Sequence, residues 1–473
     1  MPLNRFESFD NKVKELVLKF ESIMSERKIQ YLDIDELEDV IDFYLETGDV
    51  VMMEEAVRYA AKIFPASVSI KLRRAQFFGI TGKYDDAISL LHELKKIEPD
   101  NCEVLYTLGV VYGQIGKGNL AIDYYIQSGK AGYDMDIVNE NIGGEYQRIG
   151  DYDTAIKYYK KVLKENASNE DVVFELSICF DALGQDMECV DYMTYFVKEN
   201  PYSANAWLAL GLSYKNLELY EKAIQSFDYV LAINEKKIFA YTGKASCYSL
   251  LNRYSDAISV LNEALNFCKE KELIFLLLGK NYEETNNYEL AAIYYKKATY
   301  IFPGLVEAWI RMCMCYIALG DANTALEYLE KALEHNPDSR EIHTEAARLY
   351  LDLDYEDTVA ELLQMLLDKG FDDEQTWFEF ILMHINVEKY EIALKLVNEA
   401  YGHIDDQFEL NMFEIICLYM TGKKELAYEL LRTSLVKYPK SFCKKVLAMH
   451  TSIMEDIHVV DIFDSVDDDI DDF

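Results

Sequence analysis

The chain has 473 residues, with 84 Asp and Glu against 47 Lys and Arg, and a formal net charge of −37. A field of that sign repels phosphate, which makes nucleic acid and anionic membrane surfaces unfavourable partners for any face lacking a dense basic patch. Half of the residues are apolar or aromatic, which excludes wholesale disorder, and 21 Gly with 7 Pro favour helices over turn-rich β structure.

In chain order, residues 1–33 place Phe9, Val13, Leu16, Val17, Phe20, Ile23 and Met24 at helical spacing, which predicts an N-terminal capping helix. This stretch holds no apolar run of signal-peptide length, and no run anywhere nears the roughly 18 residues of a membrane span. The expectation is a soluble, cytoplasmic chain without membrane insertion. Nine cysteines form no C-x-x-C pair, the closest being Cys313 and Cys315, and are read as reduced, buried thiols.

From Ile34 to Ser441 one phase of 34 residues fits twelve windows without insertion or deletion. With Ile34 as position 1, position 20 is alanine in nine windows, from Ala87 to Ala427, and position 11 is Tyr or Phe in ten, from Tyr44 to Tyr350. Six of the seven prolines fall at position 32, and seven windows carry glycine at position 15. Proline cannot sit in a helix interior, and glycine favours the left-handed residue that ends one. Each window therefore reads as two antiparallel helices, about positions 1–14 and 18–31. Position 8 is small in nine windows, which lets two helix backbones approach, and position 24 is large in all twelve. A single pair leaves one face of this seam open, so the windows must stack. Ile381 and Ile415 put bulk at position 8, which predicts splayed pairs near the end.

The window with Trp207, Leu210, Gly211, Tyr214, Ala223 and Phe227 resembles the tetratricopeptide repeat, and Trp309, Cys313, Tyr316, Ala325 and Pro337 repeat the pattern. The resemblance implies an all-α, right-handed superhelical solenoid of twelve tandem repeats over residues 34–441, with first helices lining a concave groove that binds other proteins.

After Ser441, residues 442–454 continue the helical phase and read as a C-terminal capping helix. Residues 455–473 form an acidic tail of nine acids without Lys or Arg. Such runs are usually solvated. Here the acids alternate with Val459, Val460, Ile462, Phe463, Val466, Ile470 and Phe473, which predicts docking, either onto a partner or into the chain's own groove, with Ile470 and Phe473 as the contacts.

Catalytic and cofactor signatures give way to the repeat: Gly116-Lys-Gly118 occupies turn positions, and the seven histidines show no metal-ligand spacing. The chain reads as a non-enzymatic scaffold or adaptor without cofactor or metal, binding protein segments in its groove. The alternative is a sensor that changes shape when a peptide or its own tail binds. Candidate peptide-binding residues on groove positions are the cations Lys215, Lys280, Arg311 and Arg348, suited to acidic or C-terminal carboxylate peptides. To these the last windows add the apolar set Phe378, Leu382, Ile385, Met412, Ile416 and Tyr419, a patch that marks either a binding site or an internally covered surface and leaves a homo-oligomer through the C-terminal repeats open.

Overall fold

The computed structural model describes residues 11–26, 31–353, 355–405, 407–448 and 450–466, and every regular element among them is an α-helix. From Ile34–Thr47 and Val50–Ile63 to Phe408–Met420 and Lys424–Lys437, 24 helices alternate as first and second members of antiparallel pairs. First helices start where a short polar side chain ends the preceding window. Asp33, Ser67, Asn101, Asn169, Ser203, Ser339 and Asp373 each accept a hydrogen bond from a backbone N–H of the first turn. Trp207 and Trp309 tie the same corner, their indole N–H donating to the carbonyls of Pro201 (2.9 Å) and Pro303 (2.8 Å).

First helices end in a left-handed residue at position 15 even where glycine is missing. Glu218, Asn252, Asn286 and Glu388 stand there with φ of 60°, 58°, 57° and 63°, beside glycines such as Gly82 at 74° and Gly150 at 85°. Asparagine takes this conformation readily, so at Glu218 and Glu388 the turn is imposed by packing of the pair, and there the Cβ bears its steric cost.

Within each pair the close approach is filled in a complementary way. A methyl group on Gly109, Gly143, Gly211 or Gly279 would lie 2.6, 2.7, 2.5 and 2.4 Å from the rings of Tyr125, Tyr159, Phe227 and Tyr295. Those rings occupy position 24. Where position 8 is Ala75, Ala245 or Ala347, position 24 is Leu91, Leu261 or Leu363, all buried. Opposite the bulky Ile381 and Ile415 stand Val397 and Leu431, both fully buried. Val397 is a shorter partner for Ile381, whereas Leu431 matches the leucines that face alanine elsewhere, so Ile415 keeps its extra bulk.

Contacts divide the chain into two compact units, Met1–Cys247 and Tyr248–Phe473. The first has clusters running from Leu16 to Phe77, Leu72 to Ile142 and Ala155 to Leu210, opened by the helix Asn11–Glu26, which packs Val17 and Phe20 against the first pair. The second has one continuous core from Leu276 to Phe463. Eight of the nine cysteines are buried, and burial pushes the Cys313 and Cys315 thiols up to about 12.

The chain beyond Pro439 departs from a single cap followed by a solvated extension. Three short helices follow, Lys440–Leu447, Thr451–Met454 and Ile457–Asp464. The last lies within the acidic segment because Val459, Ile462 and Phe463 share one helical face, which is buried against the second unit's core. It packs on Lys424–Lys437. Its charged partners are Lys424, 3.2 Å from Asp456, and Lys440, whose Nζ donates to the Val466 carbonyl (3.3 Å). This segment therefore docks on the end of the stack, against Tyr419 of the expected apolar set and not beside Lys280, Arg311 and Arg348; Ile470 and Phe473 lie outside the described residues. Burial alone would raise the Asp456 pKa, but hydrogen bonds from Tyr419 (2.8 Å), Tyr428 (2.9 Å) and Lys424 overcome it and hold the carboxyl well below its usual range.

Three outcomes follow from this packing. Gly211→Ala should lose about 1–3 kcal/mol in urea unfolding followed by circular dichroism, since the new methyl meets the Phe227 ring. Glu218→Gly should gain about 1 kcal/mol by relieving the left-handed turn, and an unchanged midpoint would argue against strain there. A carboxyl depressed on folding stabilises above its unfolded value of about 4 and loses that contribution as pH falls below it. Amide protection across Ile457–Asp464, measured relative to the intrinsic rate at each pH, should accordingly fall in acid, and Asp456→Asn should reproduce that loosening at pH 7.

Candidate protein-binding face

Positions 5, 9 and 12 of successive first helices fall on one helical face, so adjacent helices build a surface from these rows. In the first unit this surface contains two clefts. The first, 420 Å³, lies between Glu170–Ala182 and Ala204–Asn216 and is closed at one side by Phe239. Phe174, Ile178, Leu208, Leu212 and Phe239 form an apolar wall, and Lys215, Asp181 and Asn216 stand on its polar side, Asn216 donating to Asp181 (3.1 Å). Phe239 is 58% exposed, and Phe174 and Ile178 are 37% exposed each, so three large apolar side chains meet on one open surface.

The second cleft, 610 Å³, is polar and lies where Cys102–Gln114, Met135–Arg148 and Glu170–Ala182 meet. Its origin is a missing side chain. Elsewhere the hydroxyl of a position-24 tyrosine is held by the side chain at position 12: Tyr159 donates to Gln147 Oε1 (2.6 Å) and Tyr295 to Glu283 Oε2 (2.5 Å). Opposite Tyr125 that position is Gly113, so no position-12 side chain ties the hydroxyl, and the Glu145 carboxylate lies against the glycine instead. Around it stand Glu140, Glu145, Glu175, Gln147, Asn141 and Arg148.

In the second unit the candidate cations are held by acids. Lys280 Nζ lies 2.7 Å from Glu307, and Arg311 reaches both Glu307 (2.9 Å) and Glu283 (3.2 Å). Burial alone would raise the Glu307 pKa; the hydrogen bonds from Lys280 and Arg311 outweigh it and lower it. Arg348 pairs with Glu345 at 2.5 Å on its own helix. These three are thus internal ties between neighbouring carboxylates, a correction to their reading as open anchors for an acidic peptide. Lys215 is the one of the four with no carboxylate partner among the described residues.

Comparison with known proteins bears on what such a face is for. Models of the tetratricopeptide repeat match residues 138–169, 204–237, 274–304 and 306–339. The chain carries tetratricopeptide repeats. Proteins built from this repeat are generally protein–protein interaction scaffolds. Among solved structures, the chain is similar to the APC/C hetero-tetramer Cut9–Hcn1, with 14% identity over 90% of this chain and 97% of that one and a TM-score of 0.35. It is also similar to a tetratricopeptide-repeat protein of Parabacteroides merdae, with 17% identity over 65% and 99% and a TM-score of 0.36. A thermophilic protein of Thermus thermophilus, TTC0263, gives 19% identity over 38% and 99% with a TM-score of 0.32. Each likeness is one of fold alone. No curated protein matches the sequence.

The repeat geometry also revises the apolar patch expected in the last windows. Ile385, Met412, Ile416 and Tyr419 are buried, while Phe378 and Leu382 are half-buried and pack against the same core. Phe408–Met420 is enclosed on several sides, with Lys440–Leu447 among its neighbours, and the Tyr419 hydroxyl bonds the Ser452 carbonyl (3.2 Å) and Asp456. Bulk at positions 5, 9 and 12 here is core filled by the chain itself. As open peptide contacts, Ile385, Met412, Ile416 and Tyr419 are therefore corrected. No helix among the described residues is long and apolar enough to cross a membrane. The residues missed in the sequence are Phe174, Ile178 and Phe239, which occupy positions 5, 9 and 2, and the Gly113–Tyr125 opening.

Proposed function

We propose that the chain is a non-catalytic cytoplasmic scaffold or adaptor that binds segments of other proteins on the first-helix face of its repeats. One observation carries this reading: the cleft of Phe174, Ile178, Leu208, Leu212 and Phe239 leaves large apolar side chains exposed on that face. Burying such a surface against a partner is favourable at about 25 cal/mol per Å² of apolar area. Lys215 beside it adds a cation without an internal partner, so the occupant is a segment with an apolar anchor next to a carboxylate, either an acidic side chain or a chain end. The lysine supplies selectivity, and the apolar wall supplies the affinity.

A peptide library displayed on phage tests this directly. Selection against the chain should return apolar anchors flanked by Asp, Glu or a free C-terminus. Phe174→Asp or Phe239→Asp should weaken the selected peptides at least tenfold without changing the melting curve. Lys215→Met should keep the apolar preference and lose the acidic one. Selected peptides that bind the Phe174→Asp and Phe239→Asp variants undiminished would end the proposal.

A further inference from the structure

We infer that the Gly113 cleft is a receptor for a basic side chain, arginine or lysine, of a bound protein segment; this rests on the reading of the first-helix face as a protein-binding surface and names a partner chemistry at a second place on it.

The argument begins with Tyr125. It is 2% exposed, its ring packs over Gly109, and its hydroxyl has no hydrogen-bond partner among the described residues. The ring is buried, but the hydroxyl opens onto the 610 Å³ cleft that the side chain lines, where water or a ligand atom can bond it. Gly113 leaves the hydroxyl without the position-12 partner that Tyr159 and Tyr295 have. A side chain there would run into Glu145, whose Oε1 lies 2.2 Å from the place of a Cβ.

The wall of the cleft is acidic. Glu140, Glu145 and Glu175 line it against the single cation Arg148, a net charge of −2 from these groups at pH 7. Glu145 is 3% exposed; Arg148 Nη1 donates to its Oε1 (2.7 Å) and to the Gly113 carbonyl (3.1 Å), and its Oε2 has no partner. Glu140 accepts one bond, from Asn169 (2.9 Å), and Glu175 one, from Gln147 (2.8 Å). A carboxylate has about four acceptor sites, so both keep lone pairs directed at solvent or a ligand. An ammonium or guanidinium is donor-only, and it is the group that satisfies carboxylates and the tyrosine oxygen together. An anion would meet these carboxylates at close range, and the field of a chain carrying −37 opposes its approach. The same field steers a basic segment in. Glu175 of this cleft and Phe174 of the apolar cleft are adjacent on the helix Glu170–Ala182, so one segment that crosses it meets both.

The test uses the full chain and a fluorescein-labelled peptide, acetyl-Ala-Arg-Ala-Arg-Ala-amide, with its lysine and glutamate counterparts, titrated by fluorescence anisotropy at 50 mM and 300 mM salt. The arginine and lysine peptides should bind, more weakly at high salt, and the glutamate peptide should not. Tyr125→Phe, which removes only the unpartnered hydroxyl, and Glu175→Gln should each weaken binding at least fivefold. Glu165→Gln with Glu199→Gln, a charge loss on exposed positions away from the cleft, should change it less than twofold. Equal binding of arginine and glutamate peptides, or arginine binding that Tyr125→Phe and Glu175→Gln leave intact while the paired control weakens it, would overturn the inference. Peptides sensitive to Phe174→Asp would in that event still support the protein-binding reading, and their loss would remove that reading without touching the Tyr125 result.

Discussion

The repeat depends on one contact, the approach of position 8 in a first helix to position 24 in its partner. Where position 8 is glycine or alanine, the two positions share a nearly fixed volume. Glycine faces tyrosine or phenylalanine at Gly109, Gly143, Gly211 and Gly279, alanine is matched by leucine, and isoleucine by valine or leucine. Protein interiors are packed about as densely as organic crystals, so a change on one side must be balanced on the other. This trade sets the distance between the helices of a pair. Only with that distance fixed do positions 5, 9 and 12 of neighbouring first helices come together as a surface.

The same contact accounts for the polar cleft. A glycine at position 8 admits a tyrosine at position 24, and the ring is long enough to carry its hydroxyl out to position 12. Where position 12 is Gln147 or Glu283 the hydroxyl is tied, and the wall is closed. Where it is Gly113 the hydroxyl faces open space. The packing rule and the candidate binding site are therefore two ends of one aromatic side chain.

Much of this fold was legible in the sequence because its signals repeat: the alanine at position 20, the prolines at 32 and the glycines at 15 agree on one phase. The turn at Glu218 and Glu388 was not legible as a left-handed residue, since glutamate carries no local preference for it and pair packing imposes it. The cations were misread for a different reason. Lys280 and Arg311 reach groove positions as the period requires, but Lys280–Glu307 and Arg311–Glu283 join adjoining windows, and with 84 carboxylates neither pairing stands out beforehand; only Arg311–Glu307, four residues apart on one helix, was there to be read. The last windows were misjudged because an apolar row looks the same whether a partner or the chain's own later helices cover it. The Gly113 opening did leave a trace, a glycine at position 12 opposite a tyrosine at 24, visible only when the two positions are read against each other.

The left-handed turns carry a consequence for how the chain comes apart. Glycine is missing from three successive turns, at Glu218, Asn252 and Asn286, in the middle of the sequence. In a linear array each unit is held only by its neighbours, so resistance to opening varies along the length instead of being shared by one core. Asparagine takes this conformation readily, so the steric cost falls on Glu218 here and on Glu388 later in the chain. Heat or force should thus open the array first at the units that turn on glutamate, ahead of those that turn on glycine.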